Sequence, residues 1–187
     1  KPEKKVKVDL YLWNDLFISS DKAVYHVYQD VKDSRWKLRE KPLLSGNHYS
    51  CMTSFIVDGV KYAAAGYERD PKNSRSSAGL DIINLAEDED GREGKHVQVK
   101  LDLNRGFGGV GVLRGDTVYD ISLVGSHPEA GIIKVPLEEL VEKDTLTIDS
   151  TSLRKYILYE NLNRQQHAPL KVHQNKLYLG QDGGVVF

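Results

Sequence analysis

The segment Gly106-Phe-Gly-Gly-Val-Gly111 spells G-x-G-x-x-G, the pattern of loops that cradle phosphates. A dinucleotide site needs a helix straight after such a turn, so that its first amides meet the pyrophosphate. Here Val110 to Leu113 has the apolar, β-branched character of a strand. A kinase-type glycine loop does run strand-turn-strand, but the lysine and catalytic-loop motifs that accompany it do not follow in this sequence. The glycines are read instead as residues that let the chain turn tightly and approach other backbone. That makes Arg105 and Phe107 candidate rim residues beside the turn.

The other reactive side chains are scattered. Six histidines (His26, His48, His96, His127, His167 and His173) form neither His-x-His nor His-Glu-x-x-His, so no metal motif is spelled. His167 and His173 would lie ~20 Å apart along an extended chain, too far to share an ion. Glu87-Asp88-Glu89-Asp90 and Glu93 carry charge enough for Ca²⁺ but not the alternating ligand spacing, and read as a solvated hairpin tip. Arg114-Gly115-Asp116 spells an integrin tripeptide where Gly-Asp is turn chemistry in its own right. Gly125-Ser126-His127 lacks the second glycine of a nucleophile elbow. Cys51 is the sole cysteine, which excludes an internal disulfide and a multi-cysteine zinc site; between Ser50 and Met52 it reads as a core position. Asp81, Asp102 and Asp120 fall on or near strands, and only the fold can pair acids for glycosidase work. Neither a cofactor nor a metal is expected.

Bulk properties narrow the classes further. The 187 residues carry 26 basic and 27 acidic side chains, so the net charge is −1. Nucleic acid, which calls for a basic face, is not an expected partner. Lys1, Lys4, Lys5 and Lys7 read as a solvated terminus. No apolar run reaches the ~18 residues of a membrane-spanning helix. The chain begins at Lys1 rather than Met, and a cleaved signal would put it in a secreted or periplasmic setting.

Strand patterns dominate the elements that must position these residues. Val6 to Trp13 alternates, then come Leu16 to Ile18, Ala23 to Gln29 and Trp36 to Leu38. A second set reads Met52 to Val57, the Asp58-Gly59 turn, Val60 to Tyr67, Gly79 to Leu85 and His96 to Leu103. A third reads Val110 to Leu113, Thr117 to Leu123, Ile132 to Val135, and is completed by Thr145 to Ile148. The last reads Leu170 to Val172, the Gln174-Asn175 turn, Leu177 to Leu179, and Val185 to Phe187. Proline ahead of an acidic pair predicts a helical turn over Pro136 to Val141. Leu153 to Leu162 is apolar at both the helical and the strand period.

These quartets resemble the blades of β-propellers. Asp15 to Tyr25 and Asn175 to Phe187 look like the middle hairpin of a blade, and Gly131 to Leu140 like a third strand running into a short helical turn. The resemblance is to propeller blades in general rather than to one family. It implies a single all-β domain over residues 1–187 with about four antiparallel blades, complete or part of a larger propeller. A β-sandwich is the alternative fold. The last quartet lacks a fourth strand, which the N-terminal strand would supply in a closed ring.

The functional expectation is a module that binds a protein partner or an extended ligand such as a glycan. Its site is expected on the channel mouth or loop face, near Arg105, Phe107, Arg69 and Tyr67. Tyr11, Trp13, Tyr25, Tyr28, Trp36, Tyr62, Tyr67 and Tyr119 lie on strands, where aromatics either pack or grip ligands. The alternative is a hydrolase or lyase acting on a glycan or ester, with its site assembled from several blades.

Overall fold

The computed structural model describes residues 15–20, 22–30, 32–57, 60–70, 72–73, 77–85, 96–101, 107–114, 121–127, 131–141, 145–149, 151–159, 170–181 and 184–186. They form four sheets, none closed on itself. The first holds β1 (Asp15–Ser20), β2 (Ala23–Gln29), β3 (Trp36–Leu38) and β4 (Leu44–Ser45). Here β3 and β4 pair in turn with the two halves of β2. The second is a meander of β5 (His48–Val57), β6 (Val60–Glu68), β7 (Ala78–Asn84) and β8 (His96–Leu101). The third begins with β9 (Gly109–Arg114), β10 (Ile121–His127) and β11 (Gly131–Pro136). After β11 come α1 (Leu137–Val141), β12 (Thr145–Ile148), a 3₁₀ turn (Leu153–Tyr156) and β13 (Ile157–Tyr159). The fourth sheet is β14 (Leu170–His173), β15 (Lys176–Gln181) and β16 (Gly184–Val186). Every pairing is antiparallel except that of β12 with β8. The β14–β15 hairpin turns on Gln174 and Asn175, both left-handed at φ 48° and 58°; the sign of both angles matches the strand twist.

The sheets stack in chain order, and the alternation of β6 shows why. Ala63, Ala65 and Tyr67 face the first sheet, where they meet Val24, Leu43 and Leu44. Ala64, one residue out of phase, faces the third sheet with Leu80, Ile82 and Val99, against Val110, Leu123 and Val135. Sheet two is therefore buried on both faces, which suits its nearly continuous apolar strands such as Ala78 to Ile83. On the far side of sheet three, Val124 and Ile132 pack against Leu170 and Leu179 of sheet four. The first strands of successive sheets also touch: β1 lies against β5, β5 against β9, and β9 against β14. Gly109 permits the last of these contacts, because a Cβ there would come within 2.5 Å of the Leu170 backbone.

Thr145 to Ile148 does not complete the third sheet as the strand count predicts. Leu137 and Leu140 of α1 bury between sheets two and three and carry the chain across the interface. β12 then runs parallel to β8, with Leu146 opposite Val99. The chain returns through the 3₁₀ turn, whose Tyr156 is also buried in that core. The third sheet gains β13 instead, from the segment that was apolar at both periods. No helix among the described residues is long and apolar enough to cross a membrane.

Candidate functional site

The glycine segment enters a strand, not a helix, so no helix N-terminus stands where a pyrophosphate would need one. Its phenylalanine packs inward: Phe107 is 1 % exposed. Its ring fits because Gly66 and Gly125 flank it; a Cβ on Gly125 would sit 2.6 Å from the ring. Tyr67 is also buried, but on the opposite face of sheet two, with Ala63 and Ala65. Arg69 follows β6 and is half-buried. Phe107 and Tyr67 are thus not brought together on one surface, and Arg105 lies outside the described residues.

A polar cleft of about 340 Å³ opens where β1 meets the start of β5, lined by Ser19, Ser20, His48, Tyr49, Ser50 and Glu68. Beneath it the Tyr49 hydroxyl donates to Asp81 Oδ2 at 2.8 Å, and Asn47 Nδ2 donates to the same oxygen at 3.2 Å. Burial, reinforced by the Asp81 carboxylate, pushes the phenols of Tyr49 and Tyr67 well above the ordinary tyrosine value. Both stay neutral at physiological pH. A bulge between Tyr49 and Cys51 turns Ser50 so that its hydroxyl donates to the Phe107 carbonyl at 2.8 Å. That hydroxyl is occupied in holding β5 to the segment before β9. Burial pushes the Cys51 thiol up to about 12, so it carries almost no thiolate at neutral pH. The cleft can offer hydrogen bonds to a polar ligand, but neither Ser50 nor Cys51 is set up as a nucleophile.

The remaining motifs resolve as structure where they are described. His26 is buried, stacks on Phe17 with ring centroids 5.1 Å apart, and accepts a 3.2 Å hydrogen bond at Nδ1 from Arg39 Nε. Ser126 lies inside β10 and is buried, so Gly125-Ser126-His127 is not a nucleophile turn. Among the described residues, no three His, Cys, Asp or Glu side chains come together to hold a metal. His167, Asp102, Asp120, Tyr11, Trp13, Tyr119, the acidic segment at 87–93, and Gly115 and Asp116 of the tripeptide lie outside the described residues.

A second cavity, of about 420 Å³, is apolar and lies between sheets three and four. Ile132 forms one part, Leu158 and Tyr159 of β13 a second, and Lys176, Leu177, Tyr178 and Leu179 of β15 the third. Three contacts hold β13 in place. It pairs with β11, Ile157 against Ile133 and Tyr159 against Ile132. Just before it, the Tyr156 hydroxyl donates to Glu139 Oε2 and Lys155 Nζ donates to Glu139 Oε1, both at 2.8 Å, tying the 3₁₀ turn to α1. Upstream, the Asp149 carboxylate accepts from the amides of Thr151 and Ser152 at 3.0 and 2.8 Å. The hydrogen bonds from Ser152 hold the Asp149 carboxyl below its usual range. The sequence signal for this groove was the double periodicity of Leu153 to Leu162. In a half-buried strand one of two neighbours turns inward, yet Leu158 and Tyr159 are both about half exposed.

Comparison with family models, with curated proteins and with solved structures finds no match to this chain.

Proposed function

We propose that this chain is a binding module on a propeller-like scaffold, and that the groove between sheets three and four receives an extended segment of a partner protein. The scaffold reading is supported by four meandering sheets stacked in chain order with their first strands adjacent, the arrangement of successive blades.

The observation that carries the binding reading is the edge strand β13 beside an apolar groove. Among the described residues β13 pairs on one side only, with β11. Its other edge offers backbone donors and acceptors to an added strand, while the groove takes that strand's alternate side chains. Among the described residues lining it Lys176 is the one with a charge, which suits an acidic residue within an otherwise apolar segment. A hydrolase or lyase would draw on His48 and Glu68 in the polar cleft, but the commitments of Ser50 and Cys51 do not favour it.

Panning a displayed library of random extended peptides against the chain tests the reading. Enriched peptides should alternate apolar residues and carry an acid. Tyr159→Ala should weaken them about tenfold, the loss of a buried aromatic anchor worth ~1.4 kcal/mol or more. Enrichment that Tyr159→Ala and Leu158→Asp leave unchanged would contradict it.

A further inference from the structure

The polar cleft between β1 and β5 is a separate feature, and its hydrogen-bond inventory says what it can hold. Three of its lining side chains have already spent their protons. Ser50 donates to the Phe107 carbonyl at 2.8 Å, Tyr49 to Asp81 Oδ2 at 2.8 Å, and Ser20 to the Ala23 carbonyl at 3.3 Å. A serine hydroxyl used in this way has only lone pairs left for a ligand. Glu68, half-buried in the same lining, is acceptor-only when ionised. Among the described residues none donates a hydrogen bond to its carboxylate or forms an ion pair with it. His48 stands opposite Glu68 in the β5–β6 register, yet the two are not bonded. Burial, and with it the Glu68 charge, holds the proton on Cys51.

We propose that the cleft binds a protonated primary amine, with the Glu68 carboxylate as counter-ion and the Ser20 and Ser50 oxygens as acceptors. An ammonium has three donors and no acceptor, the complement of this lining. An anion would meet lone pairs and a like charge. A neutral polyol needs donors as well as acceptors, and the hydroxyls of Ser20, Ser50 and Tyr49 supply none. At about 340 Å³ the cleft admits the end of an alkylamine or of a lysine side chain, which share this group. The site lies on different sheets from the groove and does not depend on how the groove is used.

Titrating the full chain with putrescine and with Nα-acetyl-lysine methylamide tests this, read by NMR amide shifts. Both should shift the amides of His48, Tyr49, Ser50 and Glu68 and saturate, and added salt should weaken both. The tighter of the two assigns the source of the amine, a free diamine or a peptide side chain. Butanediol, which is putrescine with hydroxyls in place of its amines, should not bind, and neither should acetate. Glu68→Gln keeps the size of the side chain and should cost about tenfold in affinity or more, with an unchanged melt. Butanediol or acetate that binds as tightly as putrescine overturns the proposal, and that arm needs no variant to fold. So do amines that leave these amides unshifted at tens of millimolar, or that bind a folded Glu68→Gln chain equally well.

Discussion

The two exposed apolar regions differ in shape, and shape decides what each can take. The outer face of sheet one is a broad surface, uncharged along β1, β2 and β3, that presents side chains rather than a strand edge. It can gain only by covering side chains, so it suits another sheet. The region between sheets three and four is a groove bounded by a three-residue edge strand and one lysine. It can also gain hydrogen bonds and one ion pair, so it suits a strand. Apolar exposure alone would have put the two in one class.

That contrast is easiest to break from the inside. Phe107 holds sheets two and three together between flanking glycines, so Phe107→Ala should cost about 3–5 kcal/mol. Chemical denaturation reads this, and peptide binding by the groove should be lost with the fold. A loss under ~1 kcal/mol would mean that the stack does not depend on this interface. Removing the Tyr49 hydroxyl is the next largest effect. Tyr49→Phe takes a hydrogen bond from the buried Asp81 carboxylate and should cost about 1–3 kcal/mol, leaving peptide selection by the groove unchanged.

At the surfaces the effects are smaller and should separate. Lys176→Glu should exchange the acidic residue in selected peptides for a basic one with little change in stability; an unchanged preference would remove the lysine from the recognition account. The smallest effect is a pH slope. The folded-state pKa of Cys51 is raised, from an ordinary value of 9.0 to about 12. Its contribution to stability is therefore complete below 9.0 and declines as pH rises towards the folded value, because only the unfolded thiol ionises in between. Tyr49 and Tyr67 act in the same direction at higher pH. Urea melts on both sides of pH 9.0 should show Cys51→Ala with a shallower alkaline decline than wild type, and equal slopes would contradict this.

Much of the strand order was legible because turns and alternation are local. Gln174-Asn175 announced its hairpin through residues that tolerate left-handed backbone, and Ala23 to Gln29 matched β2 residue for residue. The path from Leu137 to Tyr159 was not legible, because it depends on where α1 buries Leu137 and Leu140, a tertiary fact. Phe107 looked like a rim residue beside three glycines. Its burial depends on Gly66 and Gly125, which are distant in sequence. The groove went unseen for the same reason: Tyr159 and Tyr178 line one groove although they are distant in sequence.

Hydrogen exchange with and without a selected peptide tests the central claim, that partner binding uses the groove, most directly. The account predicts new protection at Ile157–Tyr159 and Lys176–Leu179, with the first sheet and the polar cleft unchanged. Protection at His48, Tyr49 and Ser50 instead, with β13 unaffected, would put binding in the polar cleft and contradict it.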